Sequence, residues 1–290
     1  MKHLLLLSVI LLSSCSRLPY EAIFISNREG ALDIYYRDKN GGISNLSNSP
    51  LVEYGMSWSP DGNRILYAAQ VGKQYDLFIR DFDSGATARL TKDEVDQFGP
   101  NFSSDGRHIA YVSKKDHSLG EIVVMDLEEK SEKRITDNDK MDSSPAFFPD
   151  GSTLLYSSFL EKDSSGNITN SEIFLTDMAG ARHKQILAQK GNDGNASVSP
   201  KGDRIAFSNF KEGKADIYVM NADGTEITQL TSDTLDNRWP RWTPDGKYIA
   251  FTRVAGDNSD IWIMKPNGGK QKPFVTSIFR DEILEFRPLK

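Results

Sequence analysis

Trp58-Ser59-Pro60-Asp61-Gly62 decides the fold, because it recurs. Equivalent stretches stand at Phe102-Ser103-Ser104-Asp105-Gly106, Phe147-Phe148-Pro149-Asp150-Gly151, Val198-Ser199-Pro200-Lys201-Gly202 and Trp242-Thr243-Pro244-Asp245-Gly246. Pro fixes φ near the value required at the second position of a type I turn, and Asp suits the third. Gly then takes the left-handed position from which a second strand starts back. An apolar run follows each Gly, as in Ile65-Leu66-Tyr67, Ile109-Ala110-Tyr111 and Ile249-Ala250-Phe251. Five hairpin corners of one design define a repeat protein.

A second marker lies beyond each corner. An acid opens an apolar run at Asp33, Asp76, Glu121, Glu172, Asp216 and Asp260. β-Branched and aromatic residues fill these runs on both faces, which predicts strands covered on both sides. A polar turn follows, and then a short segment ending in Leu46-Ser47, Leu90-Thr91, Ile135-Thr136, Ile186-Leu187, Leu230-Thr231 or Val275-Thr276. The unit is therefore four strands with a period of about 44 residues, the signature of a β-propeller. One interval between corner and acid is longer than the rest, which predicts an extended loop between Phe159 and Ser171. The first unit lacks its innermost strand, and Ile283-Leu284-Glu285-Phe286-Arg287-Pro288 aligns with it, Phe286 falling with Trp58 and Pro288 with Pro60. The expectation is an all-β, six-bladed propeller over residues 22–290, four antiparallel strands per blade, with the C-terminal strand closing the ring so that no edge is left at the seam.

These motifs resemble the TolB-type propeller repeat, with its aromatic-Ser-Pro-Asp-Gly corner followed by an Asp-Ile-Tyr-Val-Met-like strand. The resemblance covers essentially everything after Tyr20. It implies a bacterial envelope protein that binds another protein or a peptide, in cell-envelope assembly or Tol–Pal-like interactions. TolB proteins carry an α/β domain before the propeller, and here about 20 residues precede the first repeat. Propellers of similar repeat type include hydrolases and oligogalacturonate lyases, so a glycan-binding or glycan-active propeller is the rival reading.

Those first residues read as a leader. Met1-Lys2-His3 is a short basic start, and Leu4 to Leu12 is an apolar stretch too short to span a bilayer. Leu12-Ser13-Ser14-Cys15 resembles a lipobox, which implies a leader over residues 1–14, lipidation at Cys15 and a tether over residues 15–21. Ser16 after the Cys implies an outer-membrane destination, facing the periplasm. Cys15 is the sole cysteine, so no intramolecular disulfide can form. The net charge of −6 gives no basic footprint for nucleic acid. A monomer is the expected state.

Catalytic and metal-binding patterns are sparse. Outside the leader, His108, His117 and His183 fall in different kinds of segment. No His-x-His, Gly-x-Ser-x-Gly or phosphate-cradling motif appears, so no catalytic residue, metal site or cofactor is assigned. An enzyme assembled from dispersed loops stays open. The acids that open the third strand of each unit read as architecture, bonding local backbone N–H groups. Trp239 is different, because its counterparts are Gly55, Gly99, Ser144, Asn195 and Ile283. An unrepeated aromatic near a channel mouth is a candidate contact. Five or six residues before each innermost-strand anchor stands another acid: Glu53, Asp96, Asp142, Asp193, Asp236 and Asp281. With Trp239 they form the candidate partner-binding mouth, where gathered carboxylates would focus a negative potential on a cationic ligand. The alternative is that they serve as turn residues.

Overall fold

A computed structural model describes residues 18–162 and 168–289. The chain opens with β1 (Ala22–Ser26), β2 (Asp33–Arg37) and β3 (Ile43–Asn45). Two four-stranded sheets follow. The first holds β4 (Glu53–Trp58), β5 (Arg64–Val71), β6 (Gln74–Asp81) and β7 (Thr87–Arg89). The second holds β8 (Gln97–Phe102), β9 (His108–Ser113), β10 (Glu121–Asp126) and β11 (Glu132–Arg134). Then come β12 (Met141–Phe147), β13 (Thr153–Lys162), β14 (Ile168–Asp177) and β15 (Lys184–Gln185). They are followed by β16 (Asn192–Val198), β17 (Arg204–Lys211), β18 (Lys214–Asn221) and β19 (Thr228–Gln229). Another four-stranded sheet holds β20 (Asp236–Trp242), β21 (Ile249–Ala255), β22 (Asn258–Met264) and β23 (Lys272–Val275). The last strand, β24 (Asp281–Phe286), returns to pair with β1, Phe286 opposite Ala22.

This architecture corrects the expected six separate four-stranded blades. Four sheets are four-stranded units, and β12 to β19 run on as one eight-stranded sheet. The joint is a parallel pairing of Ser171 in β14 with Asn192 in β16. Its cause is the longest hairpin of the chain. β13 and β14 each reach ten residues, where a loop was expected between Phe159 and Ser171. The first half of β14 therefore runs far enough to lie beside the start of β16.

Six apolar layers hold the sheets together. Ile23, Ile25 and Ile34 meet Met56, Trp58 and Ile65 between the first two sheets. Leu155 and Ile173 meet Ile205 and Phe207 between the two halves of the eight-stranded sheet. At the seam, Ala250, Ile261 and Ile263 pack on Phe24, Leu284 and Phe286. Fully burying an aliphatic or Phe side chain contributes about 1.5–3 kcal/mol, so the layers, rather than the short outer strands, carry the stability. That explains why β5 reads apolar on both faces: Ile65 to Ala69 are all buried.

The two sequence markers are hydrogen-bonded devices. At the corners, Ser59 Oγ donates to Asp61 (2.5 Å) and accepts from Arg64 N (2.8 Å). Ser103 with Asp105 (2.5 Å) and Thr243 with Asp245 (2.9 Å) repeat it. In the corner where Lys201 replaces Asp, Asp203 takes the bond from Ser199 instead (2.7 Å). Where Phe148 replaces Ser, Asp150 accepts directly from Ser152 N and Thr153 N (2.7 and 2.8 Å). The corner glycines, Gly62 among them at φ 67°, hold the left-handed position. The second marker joins the third strand to the end of the fourth. Thr136 Oγ1 donates to Glu121 (2.5 Å) and accepts from Ile122 N (2.9 Å). Thr231 serves Asp216 (3.0 Å) and Ile217 N (2.9 Å) in the same way.

Candidate functional site

The innermost strands β4, β8, β12, β16, β20 and β24 surround a channel cavity of about 270 Å³. Each carries one residue in left-handed conformation: Gly55 (φ 60°), Gly99 (62°), Ser144 (54°), Asn195 (52°), Trp239 (52°) and Ile283 (47°). The ladder register breaks at each, so each is a β-bulge. Gly suits this conformation, and at Gly99 an added Cβ would meet nothing within 4 Å. A bulky or β-branched residue there costs about 1–2 kcal/mol. Trp239 and Ile283 carry that cost, and hydroxyls of the preceding sheet hold them: Trp239 N donates to Ser208 Oγ (3.1 Å) and Ile283 N to Thr252 Oγ1 (3.3 Å).

The bulge puts Trp239 where three cavities meet. Trp239 borders the channel, a side cleft of about 380 Å³ shared with Phe159, Phe210 and Arg238, and a third hollow of about 270 Å³ beside Asp257 and Arg280. The Trp239 side chain packs on the apolar layer that contains Met56 and Ile283. The partly exposed Tyr54 borders the channel and the partly exposed Phe210 the side cleft. Inside the channel, the Arg241 guanidinium pairs with Glu285 and donates to Pro240 O (2.9 Å). Burial pushes the Glu285 carboxyl up, and Arg241 opposes that shift.

The six expected mouth acids are not gathered as an open ring. Glu53, Asp142, Asp193 and Asp281 are buried. Glu53 accepts from Ile34 N (3.1 Å), and Asp142 accepts from Asn138 Nδ2 (2.8 Å). Asp193 accepts from Gln189 and Asn209 (2.8 Å each). Asp281 pairs with Arg28 (2.7 Å) and accepts from Ser277 Oγ (2.8 Å). Burial pushes Glu53 up to about 7, against hydrogen bonds from Ser47 and Ile34 N, and pushes Asp193 up to about 7 against its amide donors. Asp96 and Asp236 stay half-buried. Asp96 accepts from Tyr75 N (3.1 Å) and pairs with Lys114 (3.0 Å); Asp236 accepts from Ala215 N (3.0 Å) and pairs with Arg238. In Glu53, Asp96 and Asp236 the carboxylate ties the start of one innermost strand to a backbone N–H of the preceding unit.

Trp239 and its five counterparts stand out in the sequence, but the bulge that they share does not. The signal was present: a position holding Gly in two repeats and Asn in a third is one that tolerates left-handed backbone. The Arg241–Glu285 pair carried no such signal, because the two residues belong to different repeats. Cys15 lies outside the described residues. His108, His117 and His183 remain apart, and among the described residues no three of His, Cys, Asp and Glu gather at one point.

Residues 45–168 and 164–279 match the TolB beta propeller domain family. A Tol-Pal system protein TolB of Francisella tularensis subsp. holarctica is 30% identical over 199 residues, 67% of this chain and 44% of that protein. An uncharacterized protein of Agrobacterium fabrum is 29% identical over 185 residues, 62% of this chain and 63% of the other. The chain thus spans less than two thirds of either relative. TolB from Acinetobacter baumannii has a similar fold, with a TM-score of 0.80 at 19% identity, over 93% of this chain and 67% of that one.

Proposed function

The chain belongs to the TolB beta propeller domain family, and from that premise we propose that it is a lipoprotein whose channel mouth binds a protein or peptide of the cell envelope. In this reading residues 1–14 are a leader, Cys15 is acylated, residues 15–21 are a tether, and the propeller faces the periplasm from the outer membrane. Similarity to a Tol-Pal system protein supports an envelope role. The observation that carries the reading is Trp239. A large aromatic is held in a costly left-handed bulge, at the meeting point of the channel and two side cavities. Strained residues cluster at ligand clamps, and partly exposed Trp and Tyr are frequent interface anchors.

The test is cross-linking in intact cells followed by capture of the wild type, Trp239→Gly and Cys15→Ala. Gly suits the bulge, so Trp239→Gly removes the indole without adding strain. The expected result is a captured envelope protein that disappears with Trp239→Gly while the circular dichroism and melting curve hold. Cys15→Ala should leave the membrane fraction or stay unprocessed. An undiminished capture by Trp239→Gly would move the binding site elsewhere.

A further inference from the structure

Two devices that recur around the ring are undone at one place, the side cleft of about 380 Å³ beside the joint of β14 and β16. The first is the hydroxyl that holds the bulge of the next unit. Ser157, Ser208 and Thr252 each stand six residues after a corner glycine. Ser208 Oγ accepts from Trp239 N (3.1 Å) and Thr252 Oγ1 from Ile283 N (3.3 Å). Ser157 is 1% exposed, and among the described residues its Oγ has no hydrogen-bond partner. The second device is the acid that ties the start of an innermost strand to the preceding unit. Asp96 accepts from Tyr75 N (3.1 Å) and Asp236 from Ala215 N (3.0 Å). Ser171 stands in the place of Tyr75 and Ala215, but it pairs with Asn192 in the ladder instead. Asp193 is fully buried; its Oδ1 accepts from Gln189 and Asn209 (2.8 Å each), and among the described residues its Oδ2 has no partner. A buried polar atom left unpaired is costly and rare, and neither atom serves the scaffold as its counterparts do.

Asp193 and Ser157 both line the cleft, together with the aromatic side chains of Phe159, Phe210 and Trp239. Arg238 joins the aromatic wall. Its guanidinium lies 5.8 Å from the Phe210 ring centre and 6.0 Å from that of Trp239, and among the described residues its Nε has no hydrogen-bond partner. Among the described residues, Asp193 and Arg238 are the only ionisable side chains of the cleft. Arg238 is already balanced by Asp236. Burial pushes the Asp193 carboxyl up to about 7, so near neutral pH it is found both with and without its proton. An ammonium group suits only the ionised carboxyl, and a carboxylate suits only the protonated one. A hydroxyl donates to the first and accepts from the second, and it suits Ser157 Oγ and Arg238 Nε as well. Aromatic walls with a few convergent polar groups are the make-up of a small-molecule site, and the C–H face of a saturated ring packs on the electron-rich face of an aromatic one.

We infer that the side cleft binds a neutral pyranose sugar, its ring against Phe210 and Trp239 and its hydroxyls on Asp193, Ser157 and Arg238. The site is distinct from the proposed peptide-binding mouth, because Ser157, Phe159 and Phe210 line the cleft and not the channel.

The experiment titrates the full chain, near neutral pH, with glucose, galactose, mannose and N-acetylglucosamine and with their methyl glycosides, read by saturation-transfer NMR of the sugar protons. The expected result is a Kd of about 1 mM or tighter for at least one of them, with the matching uronic acid and amino sugar at least tenfold weaker. Binding of the free sugar alone assigns the cleft to a monosaccharide, and binding of the methyl glycoside as well assigns it to the end of a glycan chain. Ser157→Ala removes an unpaired hydroxyl, so it should keep the melting temperature and weaken binding severalfold. Phe210→Ala changes a side chain that is 37% exposed, so it should keep the fold and weaken binding about tenfold. The inference is overturned if none of these sugars binds at about 20 mM, which would leave the two buried oxygens to water. It is equally overturned if a charged sugar binds as tightly as the neutral one, or if either folded variant binds as well as the wild type.

Discussion

At the corner face the chain repeats itself; at the mouth it does not. Ser59, Ser103, Ser199 and Thr243 each donate to a nearby Asp within one turn design. The equivalent bulges at the mouth hold Gly55, Gly99, Ser144, Asn195, Trp239 and Ile283, six positions sharing one backbone conformation with five kinds of side chain. Repetition marks what every unit needs in order to fold. Divergence on a fixed backbone marks where side chains are free to specialise, and Trp239 is the largest departure.

The largest effect is expected where the repeat is completed by the final strand. Phe286→Ala should cost about 3–5 kcal/mol, seen as a large fall in the urea midpoint, because Phe286 fills the seam with Tyr20 and Phe274. A shift below 1 kcal/mol would mean that the seam contributes little to the ring.

The next effect is one of pH and belongs to the mouth. Glu53 and Asp193 have folded pKa values of about 7 because burial disfavours their charged forms. Each folded value lies above the unfolded one, so the folded state binds more protons across the interval. Stability from these groups is fully present below about pH 4 and falls as pH rises to about 7, by at most about 3 kcal/mol for Glu53 and about 4 kcal/mol for Asp193. Glu53→Gln and Asp193→Asn should flatten that part of the stability–pH profile. A profile with unchanged slope would show that these carboxyls titrate normally.

Corner substitutions come third. Ser59→Ala, Ser103→Ala and Thr243→Val should each cost about 1–2 kcal/mol, and the three values should agree. A wide spread in the melting curves would show that the corners are not one device. The smallest effect on stability is expected for Trp239→Gly, within about 1 kcal/mol of wild type, since relief of the left-handed strain offsets lost packing. A loss above 3 kcal/mol would make Trp239 part of the scaffold and remove the contrast between the faces.

Much of the scaffold was legible because it is periodic. The corner Pro-Asp-Gly, the acid and the Leu-Thr ending recur at nearly fixed spacing, and alignment of Phe286 with Trp58 located β24. What failed was information that spacing does not contain. The Ser171–Asn192 pairing joins neighbouring repeats through a long hairpin, and a count of periods is blind to such a joint. The mouth acids showed their charge in sequence but not their partners. Asp142 finds Asn138 four residues away, whereas Asp281 finds Arg28 across nearly the whole chain.

The pairing of β24 with β1 also sets a clock. Ala22 must wait for Phe286, more than 260 residues later in synthesis, before the first sheet is complete. Closing so long a loop costs entropy that no local contact repays, and pairings of high sequence separation form slowly. Until then β1 presents a free edge, the kind of surface that recruits other strands. A chain stalled or cleaved before Asp281 would carry every corner and nearly every core residue and still be an open, adhesive arc. The ring becomes a finished molecule only when its last strand has paired with its first.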